Sequence, residues 1–168
     1  SLQLKDLDPH PKTVPTEALT LEGARVLHHD LFTNGIAYLD VGFDLHALPQ
    51  TLLPYAGLFG DLLLEMGTKT EDFVTLTQRI GRNTGGIESR HFTSTIRSSG
   101  KAAAWLFLRG KATVEKTPAL LEILEDILLS ARLDDRQRFT QILLEKRAKE
   151  EAQLVPMGHR VVATRLRS

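Results

Sequence analysis

Residues 102–109, AAAWLFLR, place seven apolar side chains in a row before the first charge, and no other stretch limits the fold as much. A strand that is apolar at both alternating sets of positions belongs in the middle of a sheet, buried on both sides. The run GIESRHFTSTIR (86–97) precedes it, joined through Ser98, Ser99, Gly100 and Lys101, so two further strands lie close together in sequence. Upstream, RVLHHDLFTNGIAYLDVGFDL (25–45) carries Asn34-Gly35 between two extended runs. Asn-Gly accepts positive φ at both central positions of a tight turn, so a hairpin is expected there. Ile36, Tyr38, Val41 and Phe43 suit its second strand, and a phase change near Asp40 predicts a bulge or a switch of face.

Helical periodicity fills the gaps. Pro49 and Pro54 predict a short turn over 49–53 and a helix that starts at Pro54. Its apolar stripe is Leu58, Phe59, Leu62, Leu63 and Met66, and Gly67 stops it. Thr68 and Glu71 have the spacing of a capping box before a second stripe, Phe73, Leu76 and Ile80. Gly81, Asn83, Gly85 and Gly86 end that stripe. Thr117-Pro118 opens a third helix, with Thr117 as cap and a stripe of Leu120, Leu121, Leu124, Ile127 and Leu128. Asp134 is the expected cap of a long helix over about 135–153, with Phe139, Ile142 and Leu143 inside and Glu145/Lys149 and Lys146/Glu150 paired outside. Pro156-Met157-Gly158 interrupts it before one more helical stretch.

The order is β-β-α-α-β-β-α-α. Short turns between consecutive strands imply a largely antiparallel sheet, so the fold class is α+β with helices packed on one face. Pro9, Pro11 and Pro15, set among charges, mark 1–23 as a linker or lead-in to a single domain over 24–168. Both ends read as cut from something longer, and the domain is expected to continue past its C-terminal end.

Composition narrows the chemistry. Lys+Arg and Asp+Glu are both 21, so no net charge draws the chain to nucleic acid or to acidic membranes. With no cysteine there is no thiolate zinc site and no cysteine nucleophile. Neither H-E-x-x-H nor H-x-x-E-H occurs. His28-His29-Asp30 is the one histidine cluster, and on a strand His28 and His29 point to opposite faces, so a polar strand edge is favoured over a metal site. His91 reads as a half-exposed strand residue. Ser99-Gly100-Lys101-Ala102 fails as a phosphate loop, because Thr95 stands where the earlier glycine is needed and Ala102 replaces the metal-binding hydroxyl. Arg79, Arg82, Arg90 and Arg97 read as ordinary solvated charge, and Glu122, Glu125 and Asp126 as the wet face of their helix.

One ordered string is more specific than any of its pieces. It runs through Thr33-Asn34-Gly35-Ile36, Tyr38-Leu39-Asp40, Leu48-Pro49, Leu53-Pro54-Tyr55, Leu58-Phe59, Leu64-Glu65-Met66-Gly67-Thr68 and Thr84-Gly85-Gly86-Ile87. It resembles the presequence-protease branch of the M16 insulinase/pitrilysin-type zinc metallopeptidases, over about residues 25–168. The resemblance implies an M16 peptidase-like fold in a third, non-catalytic domain of a chambered protease whose zinc motif lies in its first domain. It further implies no cofactor and no catalytic or metal-binding residue in this chain. The partners it implies are the other domains of the parent chain and the parent's peptide substrates, with no nucleic acid and no membrane. The domain is expected to supply chamber wall and inter-domain contacts. Gly85 and Gly86 gain a second reading from it: glycines let another backbone come close, so an inter-domain contact or the chamber surface is expected to use them, beside the plain reading of a helix stop before a strand. The implied location is cytoplasmic in a bacterium and mitochondrial or plastid in a eukaryote. Two alternatives remain open at this point: an M16-like scaffold subunit without catalysis, and a free-standing peptide- or protein-binding module.

Overall fold

Leu108 is the fixed point of the architecture. It sits in the middle of the central strand with no solvent exposure, and helices close over it from one side. The structure, a computed structural model, describes residues 13–167. The chain divides into two units between Gly35 and Ile36.

The first unit is a hairpin of β1 (Glu17–Leu21) and β2 (Ala24–His28), paired antiparallel from Glu17↔His28 to Leu21↔Ala24. Of the lead-in expected over 1–23, residues 1–12 lie outside the described residues and β1 occupies part of the rest. Glu22 and Gly23 make the turn of this hairpin, where the sequence pointed to Asn34-Gly35. Asn34 and Gly35 do take left-handed angles (φ 53° and 76°). The strands they separate belong to different sheets, so local turn chemistry was legible and the pairing partner was not.

The second unit is built on three antiparallel strands: β3 (Ile36–Asp44), β4 (Ile87–Thr95) and β5 (Ala102–Thr113). Their order is β3-β5-β4, which puts the AAAWLFLR strand in the centre, as its composition demanded. Pairing of β3 with β5 runs one-to-one from Ile36↔Thr113 to Asp44↔Trp105, so the bulge or face switch expected near Asp40 does not occur. Among the described residues five helices follow from the periodic stretches: α1 (Ala56–Glu65), α2 (Phe73–Asn83), α3 (Thr117–Ser130), α4 (Arg136–Leu154) and α5 (Gly158–Arg167). A 3-10 segment, Gln50–Tyr55, holds Pro54 just ahead of α1.

Alternate residues of β5, Leu106, Leu108 and Ala112, are buried under the helices. Leu108 and Ala112 meet Leu63 of α1, Leu76 of α2, and Leu120, Ile123, Leu124 and Ile127 of α3, while Leu106 packs separately with Leu45 and Ala56. Burying each such side chain is worth about 1.5–3 kcal/mol, so this layer is the main source of stability. Ile123 takes the place in the α3 stripe expected of Leu121, which points to solvent. The α4 helix packs one layer further out, with Ile142 and Phe139 on Leu58 and Leu62 of α1 and on Met66, the residue that follows it. Lys146 reaches Asp61 at 2.7 Å and Glu65 at 3.6 Å across the α1–α4 contact, instead of pairing within its own helix.

The caps are displaced from the expected residues, by one position at α3 and α4 and by four at α2. Asp72 accepts from the Thr75 amide (2.8 Å) and Asp135 from the Arg138 amide (3.0 Å), and these are the N-caps of α2 and α4. Thr68 and Glu71 close a turn ahead of α2: the Thr68 hydroxyl accepts from the Glu71 amide at 3.1 Å, and the Thr68 amide donates to the Glu71 carbonyl at 2.8 Å. That turn bridges to the loop after α3 through Thr68 and Ala131, with Lys69 N–H on Ser130 O and Arg132 N–H on Gly67 O. Thr117 caps nothing; it lies inside α3 and donates to Thr113 O, with Lys116 as the N-cap.

Candidate functional site: the open face of the sheet

Residues directly opposite in an antiparallel pair share a face, and successive residues alternate. Because Leu106, Leu108 and Ala112 face the helices, Trp105, Phe107, Arg109 and Lys111 face the other way. The registers bring to that face Tyr38, Asp40, Gly42 and Asp44 from β3, and Glu88, Arg90 and Phe92 from β4.

Three aromatic rings form its centre. Trp105 stacks on Phe107 with centroids 6.0 Å apart and planes 20° from parallel. Phe92 meets Phe107 edge-on at 6.5 Å and 71°. Gly42 lies directly opposite Phe107, and its lack of a side chain makes room for the ring: a Cβ there would stand 2.5 Å from Phe107 Cε1. Trp105 and Phe107 are half-buried and Phe92 is exposed.

Charges surround the rings in neutralised pairs. Arg109 Nε donates to Asp40 Oδ1 at 3.0 Å across the strands. That hydrogen bond, then the charge of Asp40, raises the Arg109 pKa. Arg90 donates to both carboxylate oxygens of Glu88, at 3.0 and 3.3 Å. Asp44 accepts from the His46 amide at 2.9 Å and from His46 Nδ1 at 2.7 Å, and these two bonds, the amide first, hold its carboxyl below the usual aspartate range. The face is therefore apolar and aromatic in the middle and close to neutral around it. It offers contact and stacking to an extended, partly apolar ligand. It does not place a nucleophile beside a base.

Gly85 and Gly86 adjoin one end of this face. The Gly85 amide donates to Lys111 O at 2.7 Å, and the aliphatic stem of Lys111 lies over Gly85, where a Cβ would meet Lys111 Cγ at 2.9 Å. Gly86 takes φ 108°, which side chains avoid, and faces open space. The pair thus serves as the link from α2 into β4 and lies beside Lys111 of the aromatic face.

The remaining candidates are dispersed. His28 lies 3.7 Å from Glu17, and His29 Nδ1 lies 3.1 Å from the Thr16 hydroxyl and 3.0 Å from Pro15 O. His91 stands on the covered side of β4, next to Gly57. Among the described residues no three His, Asp or Glu side chains gather where one ion could be held, so the residues here do not fit a zinc site. Ser99 and Gly100 belong to the turn between β4 and β5. Arg79 is a structural cation, reaching Asp126 at 2.7 Å and Glu71 at 3.1 Å. Burial opposes its charge, and the two carboxylates outweigh that and raise its pKa. Asp126 is accordingly half-buried, unlike Glu122 and Glu125, which stay on the wet side of α3. Among the described residues no helix is long and apolar enough to cross a membrane.

Trp105, Phe107 and Phe92 were not singled out from the sequence. Reading AAAWLFLR as wholly buried hid the division between Leu106/Leu108 and Trp105/Phe107. The signal that could have exposed it is the segregation of bulky aromatics to one phase of the strand.

Comparison with known proteins agrees with the architecture. Residues 1–168 match the family described as peptidase M16-C associated. The chain is 41% identical over 166 residues to presequence protease 1, chloroplastic/mitochondrial, of Arabidopsis thaliana, covering 99% of this chain and 15% of that protein. It is 34% identical over 168 residues to protein HypA of Clostridium perfringens (99% and 17%) and 29% identical over 161 residues to the mitochondrial presequence protease of Kluyveromyces lactis (95% and 16%). The chain thus spans about one-sixth of the length of these curated relatives.

Proposed function

The chain belongs to the peptidase M16-C associated family and is similar to presequence proteases, and from that premise we propose that it is a non-catalytic part of a larger zinc metallopeptidase, where it walls a peptide-degrading chamber. The observation that carries the proposal is the one-sided sheet. Helices cover one face, and the other presents Trp105, Phe107 and Phe92 within neutralised charge. Such a face holds extended peptide by apolar and stacking contact while the bond chemistry happens elsewhere. Zinc and the catalytic groups belong, in this reading, to the part of the parent protein outside residues 1–168. Gly85 and Gly86, beside Lys111, mark where the wall comes close to peptide or to a neighbouring domain. The cellular place follows the relatives: mitochondrion or plastid for a eukaryotic source, cytoplasm for a bacterial one.

The test compares the full-length protein with this chain alone. Trp105→Ala and Phe107→Ala in the full-length protein are expected to raise KM for long peptides about tenfold or less, the scale of losing one aromatic contact, with zinc content unchanged. The 168-residue chain by itself is expected to bind no stoichiometric zinc and to turn over no peptide. Zinc binding with turnover by the isolated chain, or an unaltered KM in both variants, overturns the proposal.

A further inference from the structure

Two adjacent glycines make the loosest joint a chain can have, yet Gly85 and Gly86 are tied on both sides. Behind them, the Thr84 amide donates to Ile80 O at 2.9 Å and closes α2. Alongside them, the Gly85 amide donates to Lys111 O at 2.7 Å and the Lys111 amide to Gly86 O at 3.4 Å, so the link is paired with β5 before β4 begins. One side chain joins the two halves. The Thr84 hydroxyl donates to Ile80 O at 2.8 Å and accepts from the Gly86 amide at 3.0 Å. It therefore bridges the last turn of α2 and the glycine that takes φ 108°. The helix end that it grips is itself held. Asn83 Nδ2 donates to Arg79 O at 2.9 Å, and Lys116 Nζ donates to Arg82 O at 2.6 Å. Carbonyls at a helix end lack partners within the helix, and side chains supply them here.

We propose that Thr84 is a positioning residue: its hydroxyl holds the Gly85–Gly86 link in one shape, so that a bound peptide meets backbone that is already ordered. This rests on the reading of the chain as the wall of a peptide-degrading chamber, and it names the residue that prepares one part of that wall. Backbone that must be ordered in the same step as binding loses affinity, because the entropy of ordering is subtracted from the contact. A hydroxyl shared by the helix end and the glycine removes that loss in advance. Position selects Thr84 over the other ties. The bonds between Gly85, Gly86 and Lys111 are backbone pairing, and Asn83 and Lys116 hold the helix end alone. Among the described residues, Thr84 is the one whose side chain reaches both α2 and Gly86. Peptide is the ligand that the location favours, since Lys111, whose stem lies over Gly85, belongs to the aromatic face.

Thr84→Val in the full-length protein tests this. Thr84 is extended (φ −134°, ψ 166°), a conformation that valine favours, so the change removes the hydroxyl and suits the backbone. Hydrogen exchange is read at single amides by mass spectrometry. The Gly85 amide keeps its acceptor on Lys111 in the variant, so faster exchange there reports a loosened link and not the lost bond to Gly86. Exchange at Gly85 is expected to quicken about fivefold, with the amides of Leu106 and Leu108 unchanged. KM for peptides should rise about two- to tenfold at constant kcat. Thr84→Ser, which keeps the hydroxyl, should restore both. Unaltered exchange at Gly85, lost protection that extends to Leu106 and Leu108, or faster exchange at Gly85 with an unaltered KM overturns the proposal. In the last case the glycines face something other than peptide. The two readings fail separately: an unaltered protein that hydrolyses no peptide sinks the protease reading, and hydrolysis with Gly85 exchange indifferent to Thr84→Val sinks the positioning role alone.

Discussion

The two faces of the β3-β5-β4 sheet use glycine for opposite ends. On the covered face Gly110 and Gly60 let helices approach: a Cβ on Gly110 would stand 2.6 Å from Leu120 Cδ1, and one on Gly60 would run into Ser89 Oγ and Leu106 Cδ1. On the open face Gly42 makes room for a ring from the neighbouring strand, and no helix follows. The covered face is filled by aliphatic side chains and shaped by fit between elements. The open face is aromatic and held by local contacts among its own strands. Stability and recognition are thus divided between the two sides of one strand, β5, residue by residue.

The sharpest way to break that division is to cut each side in turn. Leu108→Ala removes a fully buried side chain and should lower the unfolding free energy by about 2–5 kcal/mol, read by urea titration. Next is Gly42→Ala, which pushes the Phe107 ring off its seat. A loss of about 1–3 kcal/mol is expected, with a shift in the fluorescence of Trp105, the single tryptophan of the chain. Phe92→Ala removes only the edge contact on the open side, and about 1 kcal/mol should go. A loss as large as that of Leu108→Ala would mean that the aromatic face is core and not surface. Ser89→Ala should have the opposite sign, because the Ser89 hydroxyl is buried under α1 without a partner; a gain on the order of 1 kcal/mol in a urea titration is expected.

The smallest effect lies at acid pH. Asp44 and Asp72 are held below the ordinary aspartate range, each chiefly by a backbone amide: His46 for Asp44 and Thr75 for Asp72. A depressed folded-state pKa contributes stability that is present above the unfolded value of about 3.9 and is lost as pH falls through the folded value. Asp72→Asn keeps a capping side chain and removes the charge. The Tm gap between wild type and this variant should therefore shrink between about pH 5 and about pH 3, and a gap that widens on acidification would contradict the assignment.

Local chemistry made much of the fold legible. Gly67 ends α1 with φ 77°, Pro54 and Pro118 stand at helix starts, and Pro156 separates α4 from α5. The misses share a cause, which is competition among equivalent neighbours. Asp135 outcompetes Asp134, Asp72 outcompetes Thr68, and Ile123 outcompetes Leu121, and in each case tertiary packing decides between residues of similar propensity. Long-range pairing was less accessible still. Nothing local tells β3 to skip its apparent hairpin partner and join β5, and the aromatic face exists only once that pairing is made.

The centre of the sheet is also its last strand in sequence, and that has a cost in time. On a ribosome adding roughly 5–20 residues per second, β3 emerges several seconds before β5 can reach it. Until then β3 and β4 are two strands with no shared neighbour, and closing the long loop between β3 and β5 is a slow entropic step. A pause in synthesis after Thr95 and before Thr113 would lengthen the interval in which both are open to wrong partners, so the rate at which the AAAWLFLR segment is delivered governs how much of the nascent chain reaches the native sheet.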